Sequence, residues 1–235
     1  MAHPRWGSAY ALDAGSPFRL DTTYRSFMAE AEVRATFWQT YLGHAAWRAE
    51  PNAAHRSLAD LERAGVAVRI LTQNVDRLHQ KAGSSPRKVL ELHGSIHEVV
   101  CTGCRARTPS AQTLARVAAG DGDPRCTDCD AILKLAVVMF GEHLDPATAG
   151  QAERIAANSQ LMLAVGSSLR VEPVASLCAV AVNAGNRLVI VNRDPTPYDD
   201  LAVEVIREPI GTALPRICAA FSAAARATSG AAATE

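Results

Sequence analysis

The chain has 235 residues, 48% of them hydrophobic and 20% charged, with Lys+Arg and Asp+Glu both totalling 24. That is enough apolar material for one large domain carrying a small insert, and a formal charge of zero excludes a general electrostatic pull toward nucleic acid or membrane surfaces. No apolar run approaches the roughly 20 residues that span a bilayer, and the residues after Met1 lack the apolar core of a secretory signal, so a cytoplasmic protein with reduced thiols is expected.

Residues 1–20 show no period and read as loop. From Thr23 to Leu42 a helical pattern places Phe27, Val33, Phe37, Trp38 and Tyr41 at core-like spacings. Asn52 reads as the N-cap of a helix through Leu58 and Leu61 that Gly65 stops. The run Val66 to Thr72 is short, β-branched and apolar, as a buried strand should be. Further strands are expected at 161–165, 187–191 and, more weakly, 202–206, with helices at about 147–158, 173–184 and 212–226. This alternation predicts an α/β fold, a Rossmann-like open parallel sheet with helices on both faces. Ligands of such sheets bind beyond the carboxyl ends of the strands, which directs attention to the residues after Thr72, Val165 and Val191.

Between about 98 and 135 the pattern breaks into Gly, Asp, Pro and Arg, too polar for a core of its own. Here Cys101-x-x-Cys104 and Cys126-x-x-Cys129 stand 21 residues apart. Two thiolates reach one ion from each tight turn, and two such turns complete a tetrahedron. A redox dithiol is the alternative, but two pairs flanking a coreless segment favour one zinc ion, structural because four thiolates leave no open position. His97 reads as surface or strand, and Cys178 and Cys218 as small buried hydrophobes.

Three segments at the expected strand ends carry chemistry. Thr72-Gln73-Asn74-Val75-Asp76 follows the first strand, where Asp76 serves equally well as a helix cap or a functional carboxylate. Glu91-Leu-His93-Gly-Ser95 holds a histidine that reads either as a satisfied core imidazole or as a general base. Gly166-Ser167-Ser168 and Asn192-Arg-Asp194 follow the next two strands, where a phosphate or ribose docks or a plain turn forms. There is no G-x-G-x-x-G fingerprint.

Taken together, TQNVDRLHQKAG, ELHGS, the two cysteine pairs, VVMFGE, GSSL and VNRD, in this order, closely resemble the sirtuin family from about Asp21 to Ile217. The resemblance implies an NAD-dependent protein-lysine deacylase, releasing nicotinamide and O-acyl-ADP-ribose, with NAD held between a dinucleotide-binding sheet and the zinc module. It implies a Rossmann-like NAD-binding domain (1–97 and 136–226, its N-terminal strand missing), a zinc-binding module (98–135) and a disordered tail (227–235). By the same resemblance Asn74 and Asp76 line the nicotinamide pocket, Gln73 lies near the adjoining ribose, and His93 is the catalytic base acting on a ribose hydroxyl. Val138 and Phe140 pair with substrate backbone and wall the lysine tunnel. Gly166, Ser167 and Ser168 contact phosphate and ribose, Asn192 meets the adenosine ribose, and Cys101, Cys104, Cys126 and Cys129 bind zinc. Acyl-lysine proteins or peptides are the implied partners, with no direct nucleic-acid binding and no membrane.

Two departures from the family pattern qualify these expectations. The G-A-G-x-S turn and G-x-P-x-F-R loop are absent. A late recorded start is favoured over a true loss, and the polypeptide as written is expected to bind NAD weakly or not at all. The Tyr-x-x-Arg pair that suits acidic acyl groups is also absent from Trp38–His44, so acetyl or a longer neutral acyl group is expected. An NAD-dependent ADP-ribosyltransferase and a non-catalytic acyl-peptide-binding remnant are the competing functions.

Overall fold

The computed structural model describes residues 22–231. The N-terminal stretch expected as loop lies outside the described residues.

Thr23 accepts the Ser26 N–H on its hydroxyl and opens α1 (Tyr24–Ala29). Glu30 then takes an extended conformation, so the single helix expected over 23–42 is two, with α2 running Ala31–Leu42. The break lets Arg34 reach back and donate to the carbonyls of Phe27 and Met28, at 2.9 and 3.2 Å. The end of α1 leaves such carbonyls open. Asn52 caps α3 (Ala53–Arg63) as expected, its side chain accepting the N–H groups of Ala54 and His55 while the His55 ring returns a bond to the Asn52 N–H.

Two parallel pieces form the nucleotide-type sheet. In one, β1 (Ile70–Thr72) pairs with β2 (Val89–Glu91); α4 (Leu78–Lys81) lies between them in sequence. The expected strand over 66–72 is shorter: Val66 and Val68 pack against the cluster of Ala54, Leu61, Leu214 and Cys218 without joining a ladder. After a separate group of elements comes α6 (Pro146–Ala157), then β6 (Leu161–Val165), α7 (Leu177–Asn183), β7 (Arg187–Val191), β8 (Glu204–Ile206) and α8 (Ile210–Ala231). The parallel order β6-β7-β8 completes the second piece.

Alternation along β6 decides which helices cover which face. Met162 points to α6 and α7, where Ala152, Ala156, Leu177 and Ala181 pack with Leu71 of β1 and Leu90 of β2. Leu163 and Val165 point to α3 and α8, against Ala54, Leu61, Leu214 and Cys218. The two sheet pieces thus share one helical layer, and helices cover both faces. Cys178 and Cys218 are buried, and burial raises both thiol pKa values. The expected tail from 227 is described only in its first residues. Helix α8 continues to Ala231, because the Ala-rich sequence has high helix propensity; residues 232–235 lie outside the described residues.

The intervening group is an antiparallel sheet in the order β4-β3-β5, with β3 at Gly94–Cys101, β4 at Arg107–Pro109 and β5 at Leu133–Val137, plus helix α5 (Ser110–Ala118). Its residues Val99, Val117, Leu133 and Leu135 join Phe27, Phe37 and Trp38 in one cluster. The polar insert therefore does not lack a core: it shares the core of α1 and α2. A bidentate ion pair between Arg34, 4% exposed, and Asp123 fastens α2 to it.

Candidate functional site

The four clustered cysteines sit at one end of the β3–β5 ribbon. Their sulfur atoms all lie within 4.8 Å of one another, with Cys101–Cys129 at 3.4 Å and Cys104–Cys126 at 3.8 Å. A tetrahedron with Zn–S bonds near 2.3 Å has edges of about 3.8 Å, so the donor set and its size fit one zinc ion. Each pair is folded the same way. Arg105 N–H bonds to the Cys101 carbonyl and Asp130 N–H to the Cys126 carbonyl, and Arg105 and Asp130 both adopt positive φ. Among the described residues no other group of three or more His, Cys, Asp or Glu side chains comes together in this manner.

The same two strands run from the cysteines toward the histidine singled out by sequence. Cys101 pairs with Leu133 at one end, and Gly94, next to His93, pairs with Val137 at the other. Beyond Val137 the chain leaves the sheet, but the Val138 N–H still donates to the His93 carbonyl at 2.9 Å. A lattice of main-chain bonds therefore connects the cysteine cluster, the His93 backbone and the segment 138–140.

His93 opens into a cavity of about 820 Å³, within the range of pockets that hold large ligands. Gln73, Asn74, His93, Val138, Phe140, Gly166, Ser167 and Ser168 all line it. These residues come from the carboxyl ends of β1 and β6, from the turn after β2 and from the exit of β5, as an open α/β sheet places its ligand site. Gln73 Nε2 donates to Ser167 Oγ at 3.3 Å and joins the two strand ends. Gly166, at φ 64°, turns the chain sharply after β6 while its N–H bonds to the Val191 carbonyl. Leu58, Leu144, Leu163 and Leu214 also line the cavity, so its lining is both polar and apolar. The size and mixed lining fit a dinucleotide with an acyl-lysine.

Two expected site residues do not line the cavity. Asp76 Oδ1 accepts the Leu78 N–H at 3.0 Å in a turn just ahead of α4, whose N-cap is Arg77, and the Asp76 carbonyl meets the His97 ring at 3.1 Å. Asn192 donates from its amide to the Asp194 carbonyl at 2.8 Å, and its own carbonyl accepts from Arg207.

Burial lowers the His93 pKa below the ordinary histidine value, and the main chain of Gln73 partly opposes this. The ring is therefore neutral at pH 7, ready to accept a proton. Five of the six histidines among the described residues line the cavity: His44, His55, His79 and His143 as well as His93. Burial pushes His55 down to about 3, helped by the neighbouring His79 ring 4.8 Å away and by Arg56. Sequence reasoning did not single out His44, His55, His79 and His143, nor Tyr41 and Met139, for the site, since only packing brings α2, α3, α4 and the segment after β5 to one space.

A model of the Sir2 family matches residues 17–173. An NAD-dependent protein deacetylase 2 of Streptomyces coelicolor is 60% identical over 195 residues, 83% of this chain and 81% of the relative. An NAD-dependent protein deacetylase of Sulfolobus acidocaldarius is 44% identical over 77% of this chain and 71% of its own. Among solved structures, a Sir2 with a p53 peptide and NAD+ superposes with a TM-score of 0.78 at 33% identity, over 86% of this chain and 83% of that one. A Sir2Tm bound to a propionylated peptide gives 0.76 at 34% identity, over 82% of this chain and 80% of that one.

Proposed function

The chain belongs to the Sir2 family and is an NAD-dependent protein deacylase, and we propose that His93 is its base within the large cavity. One observation carries the assignment: the His93 ring shares that cavity with Gln73, Asn74 and Gly166–Ser168, while its carbonyl holds Val138. Acyl-lysine peptides are the substrate class, as in the neighbours with acetylated and propionylated peptides.

Bound NAD supplies a ribosyl carbon whose bond to nicotinamide is spent in removing the acyl group. The chain's own residues do the rest. Asn74 orients the nicotinamide end, and Gln73, fixed against Ser167, borders the adjoining ribose. Asp76 belongs to this group through the turn it caps, which sets the direction of the chain after Asn74. Gly166, Ser167 and Ser168 face phosphate and ribose, and Asn192 serves the distant ribose. His93 takes the proton of a ribose hydroxyl at its imidazole, and Val138 and Phe140 lie along the acyl-lysine. The zinc held by Cys101, Cys104, Cys126 and Cys129 is structural and anchors the ribbon that carries Gly94.

The chain divides in this reading into the NAD-binding domain of 1–97 and 136–226 and the zinc module of 98–135. No lysine or arginine lines the cavity among the described residues, which supports a neutral acyl group, since a buried acyl carboxylate would lack a cationic partner. Among the described residues no helix is long and apolar enough to cross a membrane. Thiolate ligation of zinc suits a reducing, cytoplasmic setting, and the balanced charge gives no basis for nucleic-acid binding.

The test is product analysis with an acetyl-lysine peptide and NAD. Nicotinamide and O-acetyl-ADP-ribose formed in equal amounts support deacylation. ADP-ribose added to protein, or peptide binding without NAD turnover, overturns it.

A further inference from the structure

One charged side chain is buried where the sequence is otherwise apolar. Every residue of β5 is buried, including Lys134, which is 4% exposed between Leu133 and Leu135. An ammonium in such a place is costly unless paired and fully hydrogen-bonded. Burial does lower the Lys134 pKa, and Glu142 pulls it back.

Its polar partners lie at the end of β5 and in the turn after it, and its ammonium also sits 6.0 Å over the Tyr24 ring. Lys134 Nζ donates to the Val137 carbonyl at 2.7 Å and meets Glu142 Oε2 at 3.0 Å. That same carboxylate oxygen accepts the Met139 N–H at 3.0 Å, and the Glu142 N–H closes back on the Met139 carbonyl at 2.9 Å. The ion pair thus fixes backbone atoms at both ends of a turn over 137–142. The turn has left the sheet, and its remaining backbone ties are one bond from Val138 to His93 and one from Tyr24 to the Phe140 carbonyl. Phe140 itself is half exposed, on the cavity wall.

We propose that Lys134 and Glu142 are positioning residues for the acyl-peptide, a buried ion pair that holds the Val138–Gly141 backbone in the shape the substrate meets. Neither side chain needs to touch reacting atoms. Fold stability alone does not call for the pair, since well-packed apolar residues commonly replace a buried ion pair with no loss of stability. What apolar replacements cannot do is bind the Val137 carbonyl and the Met139 N–H together. This rests on the reading of Val138 and Phe140 as the peptide-facing segment.

The experiment measures steady-state KM for an acetyl-lysine peptide and for NAD in the wild type, Glu142→Gln, Lys134→Arg and the apolar double variant Lys134→Met/Glu142→Leu, with a thermal melt of each. The expected result is a rise of about tenfold in peptide KM for Glu142→Gln and for the double variant. NAD KM should stay within about twofold and the double variant should melt near the wild type, while Lys134→Arg, which keeps the charge, recovers most of the peptide affinity. An unchanged peptide KM in Glu142→Gln, or equal rises for both substrates, overturns the proposal. A merely structural pair would lower the melting point and the active fraction and leave both KM values alone. If the wild type itself fails to turn over the peptide, the function reading has failed instead, so the two failures are distinguishable.

Discussion

Replacing Gly94 with alanine should damage catalysis through the backbone beside His93, without touching a functional side chain. Gly94 has φ 75°, and a Cβ there would lie 1.9 Å from the Ala136 carbonyl oxygen, 3.0 Å from its carbon and 3.3 Å from Val137 Cα. The strained φ alone costs an alanine roughly 1–2 kcal/mol. Relieving the clash requires β5 to retreat by roughly 1 Å, which weakens the β3–β5 bonds at this end, each worth about 1 kcal/mol. The total is about 3–4 kcal/mol. Gly185→Ala is the matched control: its φ is 84° but nothing lies within 4 Å of the new Cβ, so it should lose about 1–2 kcal/mol through strain only. Urea unfolding of both variants separates strain from clash. Because a displacement near 1 Å costs about a hundredfold in rate, kcat/KM of folded Gly94→Ala should fall by that order, with Gly185→Ala unchanged. Equal unfolding midpoints and near-wild-type activity in Gly94→Ala would refute the idea that this strand contact positions the site.

Three further outcomes follow from the same geometry. Burial lowers the His93 pKa, so the neutral ring persists as pH falls, and the acid limb of kcat/KM should have its midpoint below 6.5; a midpoint above 7 in the pH–rate profile contradicts the assignment. Chelating the zinc should release four reactive thiols and abolish deacylation together, because Cys101 and Gly94 lie on one strand; a metal-free protein with full activity would break that link. Deacetylation should exceed desuccinylation on matched peptides, since no cation lines the cavity among the described residues, and the reverse order would show that a cationic partner reaches the acyl group.

Much of the fold is written locally, and those parts were legible. The strands at 161–165 and 187–191 are apolar runs between clear stops, and the structure places them at those residues. Asn52 followed by a helical pattern announces its cap, and the paired cysteines announce their turns. What escaped depends on partners distant in space. The break at Glu30 leaves α1 carbonyls open, and only the fold shows that Arg34 fills them while also reaching Asp123, 89 residues away. Val66 and Val68 have strand-forming side chains, but their partial burial comes from α3 and α8 and not from a ladder. Lys134 in an apolar run is itself a signal that a buried partner exists, though sequence alone does not say that Glu142 supplies it. For the site, motif order placed His93, Gln73 and the Gly166–Ser168 turn in a common cavity, whereas Asp76 and Asn192 make turn contacts outside its lining.

The most direct measurement is the deacylation rate of His93→Ala beside the wild type at saturating peptide and NAD, with a urea midpoint for each. Loss of a general base should slow the reaction by about a hundred- to ten-thousandfold while the midpoint stays put. Lysine freed by the alanine variant within a few-fold of the wild-type rate would mean that another group moves the proton, and that His93 is only a neighbour of the chemistry.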